Sequence, residues 1–86
     1  MSASISQRVE VVVSLGMNVK YYRKVKGLTQ KDLATAVGVS HPRISVIEQG
    51  GGNPTLKTIE AIADALDVCT EKLIREPTKK ILNSVA

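Results

Sequence analysis

The sequence of 86 residues contains no Phe or Trp, one Cys and one His. A lone cysteine forms no internal disulfide, and no group of Cys and His residues has the spacing of a zinc site. The longest apolar run, Val11 to Val13, is far too short to span a membrane, and residues 1–14 lack the pattern of a signal peptide. These absences favour a cytoplasmic protein without a metal or cofactor, whose core is built from Leu, Ile, Val and Ala.

The basic residues of the chain are distributed unevenly. Residues 1–50 contain seven basic and three acidic side chains, whereas residues 51–86 contain five of each, so the whole net charge of +4 lies in the N-terminal half. A basic face is typical of a protein that binds a polyanion, although an ordinary solvated surface explains a charge of this size equally well. The chain length allows one small domain, because a second core could not be buried.

Apolar residues recur at helical spacing in five segments, so we expect an all-α domain of five helices. The first segment covers residues 15–26 and is followed by Gly27, and the second and third are separated only by Gly38-Val39-Ser40. The fourth has the clearest apolar stripe, and the fifth is a short segment that ends before Pro77. Three hydroxyl side chains are expected to cap helix N-termini: Thr29, Ser40 and Thr55.

The two ends of the chain have less decisive patterns. Residues 8–13 are rich in β-branched side chains and suit a strand, but their valines also suit a helix that continues into Leu15. We favour the helix, because a short strand needs a partner. The tail is either a frayed end or a dimer contact. We therefore expect an N-terminal extension at residues 1–14, a domain at 15–76 and a tail at 77–86.

The second and third segments, with the three-residue turn between them, have the outline of a helix-turn-helix. In this motif the second helix lies in the major groove of DNA with its N-terminal residues against the base edges, while the first crosses the phosphate backbone. The third segment suits that role, because Ile44 and Ile47 face the core. Four polar side chains are left on its outer side: Ser40, His41, Arg43 and Ser45.

Five motifs stand in a fixed order along the chain: Leu28-Thr29-Gln30-Lys31-Asp32-Leu33-Ala34, Val37-Gly38-Val39-Ser40, Ile44-Ser45, Ile47-Glu48-Gln49-Gly50 and Asn53-Pro54-Thr55-Leu56. Their order and spacing resemble the Cro/C1-type (XRE) helix-turn-helix family over residues 15–74. The resemblance implies a lambda-repressor-like fold and a homodimeric transcriptional regulator, of the repressor or restriction-modification controller type. Such a protein binds double-stranded DNA sequence-specifically, and a palindromic operator matches the symmetry of the dimer.

The resemblance also assigns roles to individual residues. Gln30 corresponds to a glutamine that holds a phosphate, and the loop after the third helix corresponds to the contact with the other phosphate strand. The side chains and backbone positions expected at DNA are Thr29, Gln30, Lys31, Ser40, His41, Pro42, Arg43, Ser45, Val46, Gln49, Gly51, Gly52, Asn53, Thr55 and Lys57. Arg23 and Glu48 match a pair that forms an internal salt bridge between the first and third helices, which keeps both away from DNA.

Three residues of the third helix depart from the family pattern. The family often has Gln where His41 stands, and a long polar or basic residue where Val46 stands. Val46 suits contact with a thymine methyl group instead. Pro42 is unusual at its position and removes a backbone donor.

The sequence leaves the protein partners open. The expected dimer interface is the outer face of the fourth and fifth helices together with Ile81, Leu82 and Val85 of the tail. RNA polymerase or a toxin is a further partner, and the competing interpretation is an antitoxin or other protein-interaction module with the same fold. We do not expect an enzyme, because no nucleophile, base or metal cluster has suitable spacing.

Overall fold

The structure, a computed structural model, describes the backbone of residues 5–85 and the side-chain surroundings of residues 11–84. Residues 5–85 contain six α-helices and no strand. In chain order they are α1 (Ile5–Val25), α2 (Gln30–Val37), α3 (His41–Glu48), α4 (Leu56–Leu66), α5 (Thr70–Ile74) and α6 (Lys79–Val85). The expected all-α fold is confirmed, but the described helices number six rather than five, because the tail also forms a helix.

The three predicted hydroxyl caps begin α2, α3 and α4. The Oγ1 of Thr29 accepts a hydrogen bond from the backbone N–H of Asp32 at 3.0 Å, while the Oδ2 of Asp32 accepts one from the backbone N–H of Thr29 at 3.0 Å. The Oγ of Ser40 accepts a hydrogen bond from the N–H of Arg43 at the start of α3. The Oγ1 of Thr55 accepts one from the N–H of Thr58 at the start of α4. These bonds satisfy N–H groups that have no partner inside a helix, so each helix starts where its sequence predicts.

Aliphatic side chains from the first five helices form one core. Ile44 and Ile47, which helical spacing predicts to face the core, do so: Ile44 is fully buried and Ile47 is 2% exposed. The core residues are Leu15, Val19, Leu33, Ala34, Ile44, Ile47, Ile62, Ala63, Leu66 and Leu73. Leu, Ile, Val and Ala therefore suffice to fill the centre of this small domain.

The first helix is the element against which α3, α5 and α6 pack. It is continuous from Ile5 to Val25, so the structure has the helix rather than the strand in residues 8–13. The helix also passes without interruption through residues 14 and 15. Because this long helix offers one continuous surface, the short helices pack on it rather than only on one another. No described helix is both long and apolar enough to cross a membrane.

A buried asparagine attaches α5 to α1. The Nδ2 of Asn18 donates to the backbone oxygen of Leu73 at 2.7 Å and to that of Arg75 at 2.8 Å, and the residue is fully buried. These two carbonyls end α5 and lack partners within it. Asn18 therefore fixes the point at which the chain leaves α5 and turns towards the tail.

The tail, expected to be either a frayed end or a dimer contact, contains the helix α6. Ile81 is 3% exposed because α6 packs against α1, so this residue is part of the intramolecular packing and is not available to a second protomer. Leu82 is 41% exposed and remains on the surface. The side chain of Val85 lies outside the described residues. The predicted dimer interface must therefore be corrected by the removal of Ile81.

Candidate nucleic-acid interface

The α2–turn–α3 unit is held by backbone bonds in its turn. The N–H groups of Gly38 and Val39 both donate to the backbone oxygen of Ala34, at 2.9 and 3.0 Å. Gly38 has a φ of 83°, a left-handed conformation that costs glycine little. This turn stops α2 and sends the chain directly into α3, which fixes the angle between the two helices.

The third helix has one buried and one exposed side. Ile44, Ile47 and Glu48 are buried, whereas Val46 is 44% exposed. We call the exposed side the reading face, and define it by His41, Pro42, Arg43 and Val46, all of which are exposed. Ser45 lies half-buried beside it. The reading face is exposed, although His41 contacts Gln30 of α2 and the loop after α3 approaches Val46, so much of it can meet a ligand.

A buried ion pair joins α1 to the end of α3. The Nε of Arg23 donates to the Oε2 of Glu48 at 2.5 Å, and its Nη2 donates to the Oε1 at 3.0 Å. Their side chains are only 10% and 2% exposed. The Nη1 of Arg23 also donates to the backbone oxygen of Leu28 at 2.7 Å. Because the ion pair is bidentate, it restricts the relative orientation of α1 and α3 as well as the distance between them.

The carboxylate of Glu48 also contacts Gln30 of α2, and Gln30 in turn contacts His41 on the reading face. The Nε2 of Gln30 donates to the Oε1 of Glu48 at 3.1 Å, and the Oε1 of Gln30 lies 3.1 Å from the Nε2 of His41. Four side chains thus form a row that starts inside the domain and ends on its surface. The contact between Gln30 and His41 was not among the contacts predicted from the sequence. The available signal was that both residues open their helices on either side of a three-residue turn.

The loop between α3 and α4 lies beside the reading face. An open cleft of about 510 Å³ separates the first turn of α3 from residues 52–54, and Ser40, Arg43 and Val46 form part of its lining. A Cβ placed on Gly51 or Gly52 would come within 3.3 Å of the Cγ1 of Val46. The absence of side chains at these glycines therefore lets the loop approach α3 closely.

Two helix N-termini meet beside the reading face, and a third lies across the cleft from them. The contact between Gln30 and His41 brings together the starts of α2 and α3, and Ser40 shares its cleft with Pro54, just before α4. Helix N-termini carry partial positive charge and free N–H groups, which suit phosphate. The exposed basic residues in or beside these first turns are Lys31, Arg43 and Lys57. The surface is therefore positive both from its backbone and from its side chains.

The remaining predicted contact residues occupy different positions. Thr29 and Thr55 use their hydroxyl groups as helix caps, which leaves them at the edges of the surface. The Nε2 of Gln49 donates to the Oγ of Ser45 at 3.3 Å, and Gln49 follows the end of α3 opposite to His41. Asn53 lines the cleft with Gly52. Gln49 thus lies at the far end of α3 from the adjoining N-termini of α2 and α3.

One acidic side chain lies close to this basic surface. Hydrogen bonds from the backbone and the hydroxyl of Thr29 hold the pKa of Asp32 below its usual range, and nearby Lys31 adds a smaller attraction. The carboxylate therefore stays charged while it caps α2. Among the described residues, no three His, Cys, Asp or Glu side chains are grouped as a metal site would require. Cys69 is exposed, and its side chain makes no cap bond at the start of α5.

Several known proteins are similar to this chain in sequence or in structure. A family model described as helix-turn-helix matches residues 19–74. The immunity repressor protein of Bacillus phage phi105 is 35% identical over 66 residues, which cover 77% of this chain. This chain spans 46%, about half, of that repressor's own length.

Two solved structures are also similar. The restriction-modification controller protein C.AhdI from Aeromonas hydrophila superposes with a TM-score of 0.69 and 32% identity, covering 72% of this chain and 94% of C.AhdI. The biofilm master regulator SinR, solved in complex with DNA, gives a TM-score of 0.67 and 34% identity, covering 71% of this chain and 98% of the SinR chain. In both comparisons about one residue in three is identical, so the similarity extends to the sequence as well as to the fold.

Proposed function

This chain belongs to the helix-turn-helix family, and on that premise we propose that it binds double-stranded DNA sequence-specifically and regulates transcription as a homodimer. The observation that carries the proposal is an exposed reading face beside the adjoining N-termini of α2 and α3, with the start of α4 across the cleft and basic side chains around it. Members of this family act by binding rather than by catalysis. The expected site of action is the cytoplasm, where such a regulator meets DNA.

In the proposed complex α3 enters the major groove. His41, Arg43 and Val46 of the reading face then meet base edges, and Arg43 supplies the fork of donors that suits guanine. Gln30 and the N–H groups of the first turn of α2 hold one phosphate strand, while residues 51–53 and Lys57 approach the other. The ion pair of Arg23 and Glu48 contacts no DNA, and its role is to hold α3 in place.

Dimerisation follows from the small size of the reading face. One helix of eight residues meets only a few base pairs, so a second protomer on an adjacent half-site is needed for a specific operator. The proposed interface is formed by the outer faces of α4 and α5 with Leu82. Ile74 at the end of α5 and Leu82 are 40% and 41% exposed, which leaves apolar area for a symmetric partner.

The proposal is tested by selecting bound DNA from a random duplex library and measuring the affinity of the selected site. A palindromic site with two half-sites supports both DNA binding and the dimer. We expect Gln30→Ala to weaken binding to all sequences, and Arg43→Ala to cost about 1–3 kcal/mol and also relax preference at one base position. Asn83→Ala, an exposed change on α6, is the control. Equal binding by wild type and both interface variants would contradict the proposal.

A second candidate function is the binding of another protein, such as a toxin or RNA polymerase. It is favoured by Leu56, which is 65% exposed at the start of α4, together with Ile74 and Leu82. Capture of a protein partner by a chain that selects no duplex from the library would make this the main function. Selection of a duplex site by the purified chain alone would make protein binding secondary.

A further inference from the structure

The row of side chains from Arg23 to His41 restricts how the histidine can present its ring nitrogens. The carboxylate of Glu48, paired with the Arg23 guanidinium, only accepts hydrogen bonds. The amide of Gln30 must therefore turn its NH₂ group towards Glu48, as the 3.1 Å contact has it. Its carbonyl oxygen is then the atom that faces His41. The amide orientation thus follows from the chemistry of its neighbour.

The same reasoning extends to the imidazole. A carbonyl oxygen only accepts, so the Nε2 of His41, 3.1 Å from the Oε1 of Gln30, must carry the proton. In the neutral ring the other nitrogen, Nδ1, is then an acceptor. His41 is exposed and opens α3, and in the proposed complex the first residues of α3 approach the base edges, so this acceptor would be offered to them. The buried ion pair determines which hydrogen-bonding group the surface offers.

The geometry points to a specificity rule: neutral His41 recognises an exocyclic amino group in the major groove, and Glu48 and Gln30 are positioning residues that select its tautomer. In the major groove adenine presents N6–H₂ and cytosine presents N4–H₂, whereas guanine and thymine present acceptors at the corresponding edge. An acceptor on His41 therefore favours adenine or cytosine on the contacted strand at one operator position. This inference rests on the proposed DNA-binding function.

The first experiment examines the free protein and needs no DNA. The sequence contains one histidine, so long-range ¹H–¹⁵N correlation spectra at alkaline pH report His41 without ambiguity. We expect the spectrum of the Nε2–H form alone, with widely separated shifts for the two ring nitrogens. In Gln30→Met the two shifts should move towards each other, because both tautomers become populated. Asn83→Met, which removes an exposed amide on α6, should retain the wild-type spectrum.

The second experiment compares base preferences by selection from a random duplex library at the same pH. Wild type should prefer adenine or cytosine at one position, and His41→Ala should lose the preference there alone. Gln30→Met should reduce the preference ratio at that position in addition to any general loss of affinity. Because a lost phosphate contact weakens all sequences equally, the ratio separates positioning from phosphate binding.

The two measurements distinguish failure of this inference from failure of the proposed function. A wild type that selects a DNA site but has the Nδ1–H form, or an even mixture, contradicts the inference and leaves DNA binding intact. A preference for guanine or thymine at the position that responds to His41→Ala contradicts it equally. A wild type with the Nε2–H form that selects no duplex contradicts the proposed function, and the base preference with it.

Discussion

The close approach of α1 to α3 gives the sharpest prediction for stability. Gly16 is buried, and a Cβ at this position would lie 2.5 Å from the backbone oxygen of Ile47, 2.9 Å from that of Glu48 and 3.0 Å from the backbone nitrogen of Gly50. All three are backbone atoms at the end of α3, so no side chain can rotate away. The substitution Gly16→Ala must therefore push α3 away from α1.

Two opposing contributions determine the size of the effect. Alanine is favoured over glycine inside a helix by about 1 kcal/mol, which would stabilise α1. Overpacking of a core typically costs about 1–3 kcal/mol, and a contact of 2.5 Å with backbone places Gly16→Ala in the upper part of that range. The net expectation is a loss of about 1–2 kcal/mol. For a domain of this size that lowers the Tm by roughly 5–15 °C.

Thermal unfolding followed by circular dichroism measures this change. Gly51→Ala is the milder comparison, because its Cβ would lie 3.3 Å from the Cγ1 of Val46, the end of an exposed side chain that can move, and 3.5 Å from a backbone oxygen. It should therefore lower the Tm less than Gly16→Ala does. A Tm for Gly16→Ala equal to or above that of wild type would refute the close packing of α1 on α3.

Three further changes test separate contacts. Glu48→Ala leaves the guanidinium of Arg23 buried without its carboxylate, so urea unfolding should show a loss of about 3–5 kcal/mol; a loss similar to that of an exposed glutamate would contradict the ion pair. Leu33→Ala opens a cavity at a fully buried position and should cost about 2–5 kcal/mol, and a nearly neutral result would place Leu33 outside the core. Asp32→Asn tests the capping box through pH. Because the bond from the Thr29 backbone lowers the pKa of Asp32 in the folded state, its stabilisation is present above the unfolded-state pKa and is lost as the pH falls through the folded-state pKa. Wild type and Asp32→Asn should therefore differ most near neutral pH and converge on acidification, whereas a difference independent of pH would show that the carboxylate charge is not involved.

Local features of the chain were predictable because their causes lie within a few residues. The caps at Thr29, Ser40 and Thr55 bond to N–H groups three residues further along, so the sequence alone places three helix starts. The inward position of Ile44 and Ile47 follows from helical spacing. The assignment of particular residues to DNA stays a prediction, since it depends on the family resemblance and on the proposed complex.

Among the contacts between distant parts of the chain, the ion pair of Arg23 and Glu48 was expected from the family resemblance, but others were not predictable. Asn18 bonds to carbonyls 55 and 57 residues away, and nothing in the residues around it indicates those partners. The burial of Ile81 depends on the surface that α1 offers to α6, which the short tail does not reveal. The tautomer of His41 requires three other side chains from three helices. Each of these features exists only after the helices have packed.

The two sides of α3 separate the residues that fold the domain from those of the reading face. Ile44, Ile47 and Glu48 hold the helix in the domain, while the side chains of the reading face are exposed. Substitution of an exposed side chain there, such as Arg43, is therefore expected to change the stability of the fold little. Under the proposed function, a duplicated copy of such a gene would acquire a new operator through a few changes at exposed positions, without passing through an unstable intermediate. A regulator built in this way would diverge by single mutational steps.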